Sequence, residues 1–419
     1  MDVENKRLLF MGATEMMKTS VETAKKLGIY TIVVDYKEDS PAKKIADKSY
    51  LISTSDIDGL EVICKEEKVD GVFFGYSETN QYFTLELTER MGLPFYSNRE
   101  QIDALANKSN FKRVCRNHGI SVVPDVEEEK VEDYLPVIVK PVDSFSGKGI
   151  TVCNRVEDLM AAKKLAIEES KTKEYLIEKF MDFSKYDVIA VYYSIQDGVV
   201  ALSSMVDRYM YTFENGRQLN TGLFYPSKYL SRYIEEVDEN VKNMIKSLNI
   251  VNGTIFIEGC VDEKDFYFWE SGFRLCGAQQ NIFPKHINNV DIQELLIHHA
   301  VTDTMGEENK MYLEDPYFKG KKACNGVIFL KKGKIMGISD IDDILNIDGM
   351  VNFTQLKFVG DEVTENDIGT LNQSFARIHI VGDSVDTLLE IINEVFDKLT
   401  VYDENGNNML IDTFSNFVQ

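Results

Sequence analysis

The sequence predicts a mixed α/β and α+β chain built from three successive units, and three observations carry that expectation. Short apolar runs alternate with amphipathic stretches up to residue 97. Runs rich in β-branched and aromatic residues dominate 137–213 and return at 253–270, and a strand, helix and turn pattern closes the chain. The 419 residues are 44% hydrophobic and 27% charged, enough apolar material for several cores.

In the first unit, 1–97, the runs at 8–11, 30–34, 49–52, 71–74 and 93–96 read as strands, with helices at 20–27 and 60–68 between them. That alternation argues for a parallel sheet with covering helices. Gly12 follows the first strand and Asp35 ends the second, as in dinucleotide-binding folds. Yet Gly12-Ala-Thr-Glu-Met-Met17 carries one glycine where that fingerprint needs three, so NAD binding has little support.

The second unit opens helically at 98–125, with Lys108 inside Asn107-Lys-Ser-Asn-Phe-Lys-Arg and a glycine stop at Gly119. The acidic stretch 125–133 reads as a solvated face or loop. Val137-Ile-Val-Lys-Pro-Val-Asp-Ser-Phe-Ser-Gly-Lys-Gly-Ile150 then delivers Lys140 to a strand end, ahead of a small-residue loop carrying Lys148. Gly147 and Gly149 let backbone N–H groups turn toward an anion, and lysine supplies a compact positive charge. A glycine-rich hairpin with a solvated lysine would look the same in isolation.

Ile255-Phe-Ile-Glu258 and Phe268-Trp-Glu270-Ser-Gly-Phe-Arg274 form a second constellation. Two strands joined by a turn bring Glu258 and Glu270 side by side, where they repel unless a cation or proton intervenes. Mg²⁺ bridging carboxylates to phosphates resolves that repulsion, and the planar fork of Arg274 suits a phosphate or carboxylate. Surface partners for two exposed strand ends are the plainer alternative. Glu174-Tyr-Leu-Ile-Glu178-Lys-Phe-Met181 is a third feature, an alternating strand whose backbone edge offers a pairing surface to a flat heterocycle.

With 46 basic and 69 acidic residues the net charge is -23, which argues against nucleic-acid or anionic-membrane partners. The six cysteines lack paired spacing and read as buried thiols of a reducing, cytoplasmic compartment. His298 and His299 are helix neighbours that diverge too far to chelate. The sequence shows neither a signal-peptide pattern nor an apolar run long enough to span a membrane.

Taken in order, these motifs resemble the ATP-grasp superfamily over nearly the whole chain. The resemblance implies a Rossmann-like domain at 1–97 and an ATP-grasp domain at 98–315 with a flap subdomain near 137–182. A C-terminal α+β domain follows at 316–419, similar to that of L-amino-acid-ligase-like and biotin-carboxylase-like members. It implies Lys108 and Lys140 on the ATP phosphates, with Ser144, Ser146, Gly147, Lys148 and Gly149 as a closing flap. It also implies Glu178, Lys179, Phe180 and Met181 as the adenine hinge, and Glu258 and Glu270 as ligands for Mg²⁺, or Mn²⁺ in its place. Arg274, with Lys140, stabilises the transition state on this reading, and Glu78, Asn80, Arg208 and Arg274 face the substrate. The ribose contact lies among Lys185, Tyr186 and Asp187. Asp207 and the stretch Asn220-Thr-Gly222 are further substrate-facing candidates.

The implied activity is a ligase that phosphorylates a carboxylate with ATP and joins it to an amine, releasing ADP and phosphate. Small-molecule substrates and a homodimer fit the resemblance. A purine-pathway ligase or carboxylase, or a nucleotide-binding regulator without chemistry, are the alternatives. One departure favours the last. Many relatives carry an asparagine two residues after the second acidic ligand, and here that position is Gly272.

Overall fold

The computed structural model describes residues 2–144, 147–215 and 217–415. Its N-terminal unit is an all-parallel sheet of β1 (Arg7–Met11), β2 (Tyr30–Asp35), β3 (Lys48–Leu51) and β4 (Gly71–Phe73), in the order β3-β2-β1-β4. Helix α1 (Glu15–Lys26) joins β1 to β2, α2 (Ile57–Glu67) joins β3 to β4, and α3 (Glu78–Met91) follows β4. Both faces are covered at β1, β2 and β4, which is why those strands read as apolar runs, whereas the edge strand β3 is largely exposed. Leu8, Phe10 and Val33 pack on the α1 side, and Leu9, Met11, Ile32 and Val34 pack with Leu60, Cys64 and Leu87 on the other.

The expected fifth strand at 93–96 does not form. Pro94 has no N–H to give to a ladder. Phe95 and Tyr96 instead join an aromatic cluster with Phe74, and Tyr96 packs edge-on against Phe273 with centroids 5.2 Å apart.

Next come α4 (Arg99–Ala106) and α5 (Lys108–Asn117), capped by the side chains of Asn98 and Asn107. The acidic 125–133 stretch contains the short helix α6 (Val131–Tyr134). A small antiparallel sheet in the order β6-β5-β7 follows, made of β5 (Val137–Pro141), β6 (Thr151–Cys153) and β7 (Tyr175–Lys179). Helix α7 (Leu159–Glu169) covers it through Leu159, Ala162 and Ala166 on Val137, Val139 and Ile177.

The largest element is a nine-stranded sheet. It contains β8 (Asp187–Gln196), β9 (Val199–Thr212), β10 (Gln218–Tyr225), β11 (Gly253–Val261), β12 (Phe266–Gly272) and β13 (Lys322–Leu330), with antiparallel neighbours throughout. Beyond β13 it continues without a break into the strands Ser374–Gly382 and Met350–Gln355, so one ladder crosses residue 316. Helices α8 (Leu230–Glu236) and α9 (Asp238–Ser247) and helix α5 bury one face against Ile189, Val191, Tyr193, Ile255 and Ile257. Helix α10 (Ile292–Thr302) returns to the N-terminal sheet, burying Leu296 and Ile297 beside Leu8 and Phe10.

In the C-terminal part, Ser384 accepts a hydrogen bond from the Thr387 N–H and caps the helix Val385–Lys398, as the sequence predicts. Leu388, Ile391, Ile392 and Val395 turn inward at helical spacing. All six cysteines are buried and free, and no helix among the described residues is long and apolar enough to cross a membrane.

Candidate active site

The face of the large sheet opposite α5, α8 and α9 opens into a cavity of about 600 Å³. Strand pairing brings the two acidic residues together, since Glu258 of β11 lies directly across from Glu270 of β12. Arg208 on β9 grips Glu258 with both terminal nitrogens, at 2.6 and 3.0 Å. Burial raises the Glu258 carboxyl above its ordinary pKa, Arg208 opposes the rise, and the neighbouring Glu270 adds to it. Glu270 is more open and lies 3.7 Å from the Lys108 ammonium.

Arg274 donates to the carbonyls of Tyr76 and Leu275 at 3.0 Å each, and pairs with Glu78 at the start of α3 at 3.3 Å. Its guanidinium lies 5.0 Å from the centre of the Phe256 ring. Arg377, from the strand Ser374–Gly382, faces the same cavity, as do Asn220 and Ser374, whose side-chain oxygens lack a hydrogen-bond partner. Burial pushes the Arg377 pKa down.

Gly272 has a steric cause. It stands opposite Phe256, and a β-carbon at 272 would collide with the edge of that ring. The aromatic ring occupies the volume that a third ligand side chain would need. Two carboxylates on one face still fit a hard divalent cation whose shell is completed by water and phosphate oxygens. Among the described residues no group of three or more His, Cys, Asp or Glu is arranged so that it could hold a metal ion.

The lysines form the other wall. Lys108 is 5% exposed; its backbone N–H donates to the Val142 carbonyl and its ammonium to the Ser144 carbonyl at 2.6 Å, tying α5 to the loop after β5. Gly147 and Gly149 adopt φ of 72° and 74°, the left-handed region the sequence predicts. Any side chain at Gly149 would also strike Pro141 and Glu169. Lys148 is exposed, and its carbonyl accepts from the Ser144 hydroxyl at 2.9 Å. Ser146 lies outside the described residues.

Lys140 differs from the expectation of an open phosphate contact. It is 5% exposed and pairs at 2.6 Å with Glu178, whose other oxygen is held by Lys112 at 2.7 Å. Lys112 also pairs with Asp125, which in turn pairs with Arg116. Both Glu178 oxygens are thus engaged, and the backbone N–H groups of Lys179 and Phe180 donate to the Pro124 and Pro136 carbonyls at 3.0 and 3.4 Å. Beyond these residues, Phe183 and Trp269 line the cavity with ring centroids 6.1 Å apart.

Among the remaining expected positions, Glu78 lines the cavity, whereas Asn80 ties the parallel sheet together. Its amide donates to the Met11 carbonyl and its oxygen accepts from Thr54. Arg208 holds Glu258 instead of standing free for a substrate. Asp207 accepts from Ser227 and the Lys228 backbone, Asp187 pairs with Lys228, Lys185 lies 3.6 Å from Asp182, and Tyr186 packs on Tyr267. Sequence reading missed Lys112, Phe183 and Trp269. Lys112 sits four residues after Lys108 on α5, a spacing that places both on one helix face.

A small antiparallel sheet with a lysine strand, a large antiparallel sheet with two facing carboxylates, and a parallel α/β unit in front are the parts that the resemblance to the ATP-grasp superfamily leads one to expect. Residues 99–298 match the ATP-binding domain of the carbamoyl-phosphate synthase L chain. A formate-dependent phosphoribosylglycinamide formyltransferase from Prochlorococcus marinus is 30% identical over 188 residues, covering 42% of this chain and 48% of that protein. Its counterpart from Methanocaldococcus jannaschii is 29% identical over the same shares. The chain thus spans about half the length of the curated relatives it matches.

Among solved structures, phosphoribosylglycinamide synthetase from Anaerococcus prevotii superposes with a TM-score of 0.74 at 17% identity, over 96% of this chain and 100% of that one. L-amino acid ligase from Bacillus licheniformis gives 0.75 at 16%, with the same coverage. Biotin carboxylase from Campylobacter jejuni gives 0.76 at 18%, over 95% and 92%. These likenesses concern the fold.

Proposed function

We propose that the protein is an ATP-dependent ligase that activates a carboxylate as an acyl-phosphate and joins it to an amine, releasing ADP and phosphate. The observation that carries this reading is the convergence of Lys108, Glu258, Glu270, Arg208, Arg274 and Arg377 on one cavity. Such a set neutralises a polyanion and a transferring phosphoryl group through positioning and charge, without a protein nucleophile.

The roles follow from placement. Lys108, anchored to the loop above it, holds phosphate oxygens under the flap. Glu258 and Glu270 hold a divalent cation, which when bound screens the phosphate charge. Arg274 is kept rigid by two carbonyls and Glu78, so its remaining N–H groups point at a fixed place where negative charge develops. Phe183, Trp269 and the backbone after Glu178 receive the base.

The curated relatives, whose names specify formate and a phosphoribosyl acceptor, support a purine-pathway subtype of the same chemistry. Arg274 and Arg377, the cavity's guanidinium groups besides the Glu258-bound Arg208, suit an anionic acceptor or carboxylate. Six buried free thiols support a cytoplasmic enzyme, and the acidic charge supports small-molecule rather than nucleic-acid substrates. The test is ADP and phosphate release from Mg-ATP across a panel of carboxylates, formate included, paired with amines. Tight Mg-ATP binding with no turnover for any pair would favour a nucleotide-binding regulator instead.

A further inference from the structure

We infer that Lys112 is a positioning residue for nucleotide binding, one that engages Glu178 so that Lys140 keeps charge for phosphate. The inference rests on the nucleotide reading above. Lys112 is among the largest fully buried side chains of the protein, at 1% exposure. An interior ammonium is costly unless paired, and an apolar side chain of similar length would fill the space between α5 and β7 without that cost.

The pairing has a direction. Arg116 at the surface pairs with Asp125, Asp125 with Lys112, Lys112 with one oxygen of Glu178, and Lys140 with the other. Three cations against two anions leave one positive charge, and the string starts half-exposed at Arg116, whose side chain is 49% accessible. Its inner end is Lys140, on the strand that leads into the flap loop. Without Lys112 the whole charge of Glu178 would bear on Lys140 and compete with a phosphate for it. The plain alternative is that Lys112 only ties α5 to β7.

Emission of Trp269, the chain's one tryptophan, separates the two, because that side chain lines the cavity. Mg-ATP is titrated into the wild type, Lys112→Met and Asp125→Asn. Lys112→Met should raise the Kd about tenfold, the scale of coupling within one charge network. Asp125→Asn removes the carboxylate that competes for Lys112, gives Glu178 more of the ammonium, and should lower the Kd about two- to threefold. A structural tie predicts the same sign, or no change, for both. An unchanged Kd in folded Lys112→Met overturns the inference, as does an unchanged or higher Kd in Asp125→Asn. Should Lys112→Met not fold, Asp125→Asn decides alone. Failure of the wild type to bind Mg-ATP would refute the nucleotide reading itself and this inference with it.

Discussion

Replacing Arg208 with methionine probes the electrostatics on which the cavity rests. The guanidinium grips Glu258 with side-chain exposures of only 18% and 12%, so both charges are largely removed from water. Taking away one partner of such a pair costs about 3–5 kcal/mol, because the remaining charge stays buried and uncompensated. The loss carries a pH signature. Burial already raises the Glu258 carboxyl, with Arg208 as the largest opposing influence. A carboxyl whose folded pKa is raised destabilises the fold only where it ionises, so the penalty grows as pH climbs through the raised value. Without the guanidinium the rise is larger, and the variant should lose most stability near about pH 8 and recover toward about pH 5.

Denaturant unfolding of the wild type, Arg208→Met and Arg208→Met/Glu258→Gln at both pH values measures this. The double variant should regain most of the loss. Mg²⁺ should also stabilise Arg208→Met, by about 2.7 kcal/mol at a hundred times its dissociation constant, since a cation at Glu258 replaces the missing charge. A loss that is flat with pH, or a double variant no better than the single one, would refute the argument. No response to Mg²⁺ would remove Glu258 from the metal ligands.

Glu270→Gln should abolish ADP release while moving the thermal midpoint little, because its side chain is 37% exposed and its ion pair with Lys108 is long, at 3.7 Å. Near-normal turnover would sink the metal assignment. Gly272→Asn should cost about 1–3 kcal/mol of stability through overpacking against Phe256, without tightening Mg²⁺ binding. An asparagine that is tolerated and strengthens the metal site would contradict that steric account. His379 is fully buried and its pKa is pushed down from 6.5 to about 3, chiefly by burial. Its contribution to stability is therefore present above about pH 6.5 and lost as pH falls toward about pH 3. His379→Asn should flatten the acid side of the stability curve, read as the urea midpoint at successive pH values.

Much of this site was legible because its parts are local. A strand that ends in lysine, glycines that need left-handed backbone, and two glutamates on paired strands each leave a short pattern, and the order of those patterns carried the rest. The misses have physical causes. Residues 93–96 are as apolar as the true strands, but their burial is against aromatic rings and not in a ladder. Asn80 follows a strand of the parallel sheet, where ligands commonly bind, yet its amide serves the backbone of β1. Arg208 and Lys140 each pair with a glutamate that the sequence reading did not give them, since ion pairing between distant strands leaves no trace in spacing. Gly272 could be seen as a departure, whereas its reason, a phenylalanine sixteen positions earlier, needed the strand register.

The unbroken ladder from β12 to the strand Met350–Gln355 has a mechanical consequence. Glu258, Arg208 and Arg377 all project from strands of that single sheet, so their separations are set by hydrogen-bond spacing and register. The small β5-β6-β7 sheet, which carries the lysine loop, is outside that ladder. A shift of the small sheet would therefore leave the spacing of Glu258, Arg208 and Arg377 unchanged. Substrate preference would then change by substitution along the strands more readily than by exchanging the C-terminal part as a cassette, because cutting between β10 and β13 would expose a long raw edge.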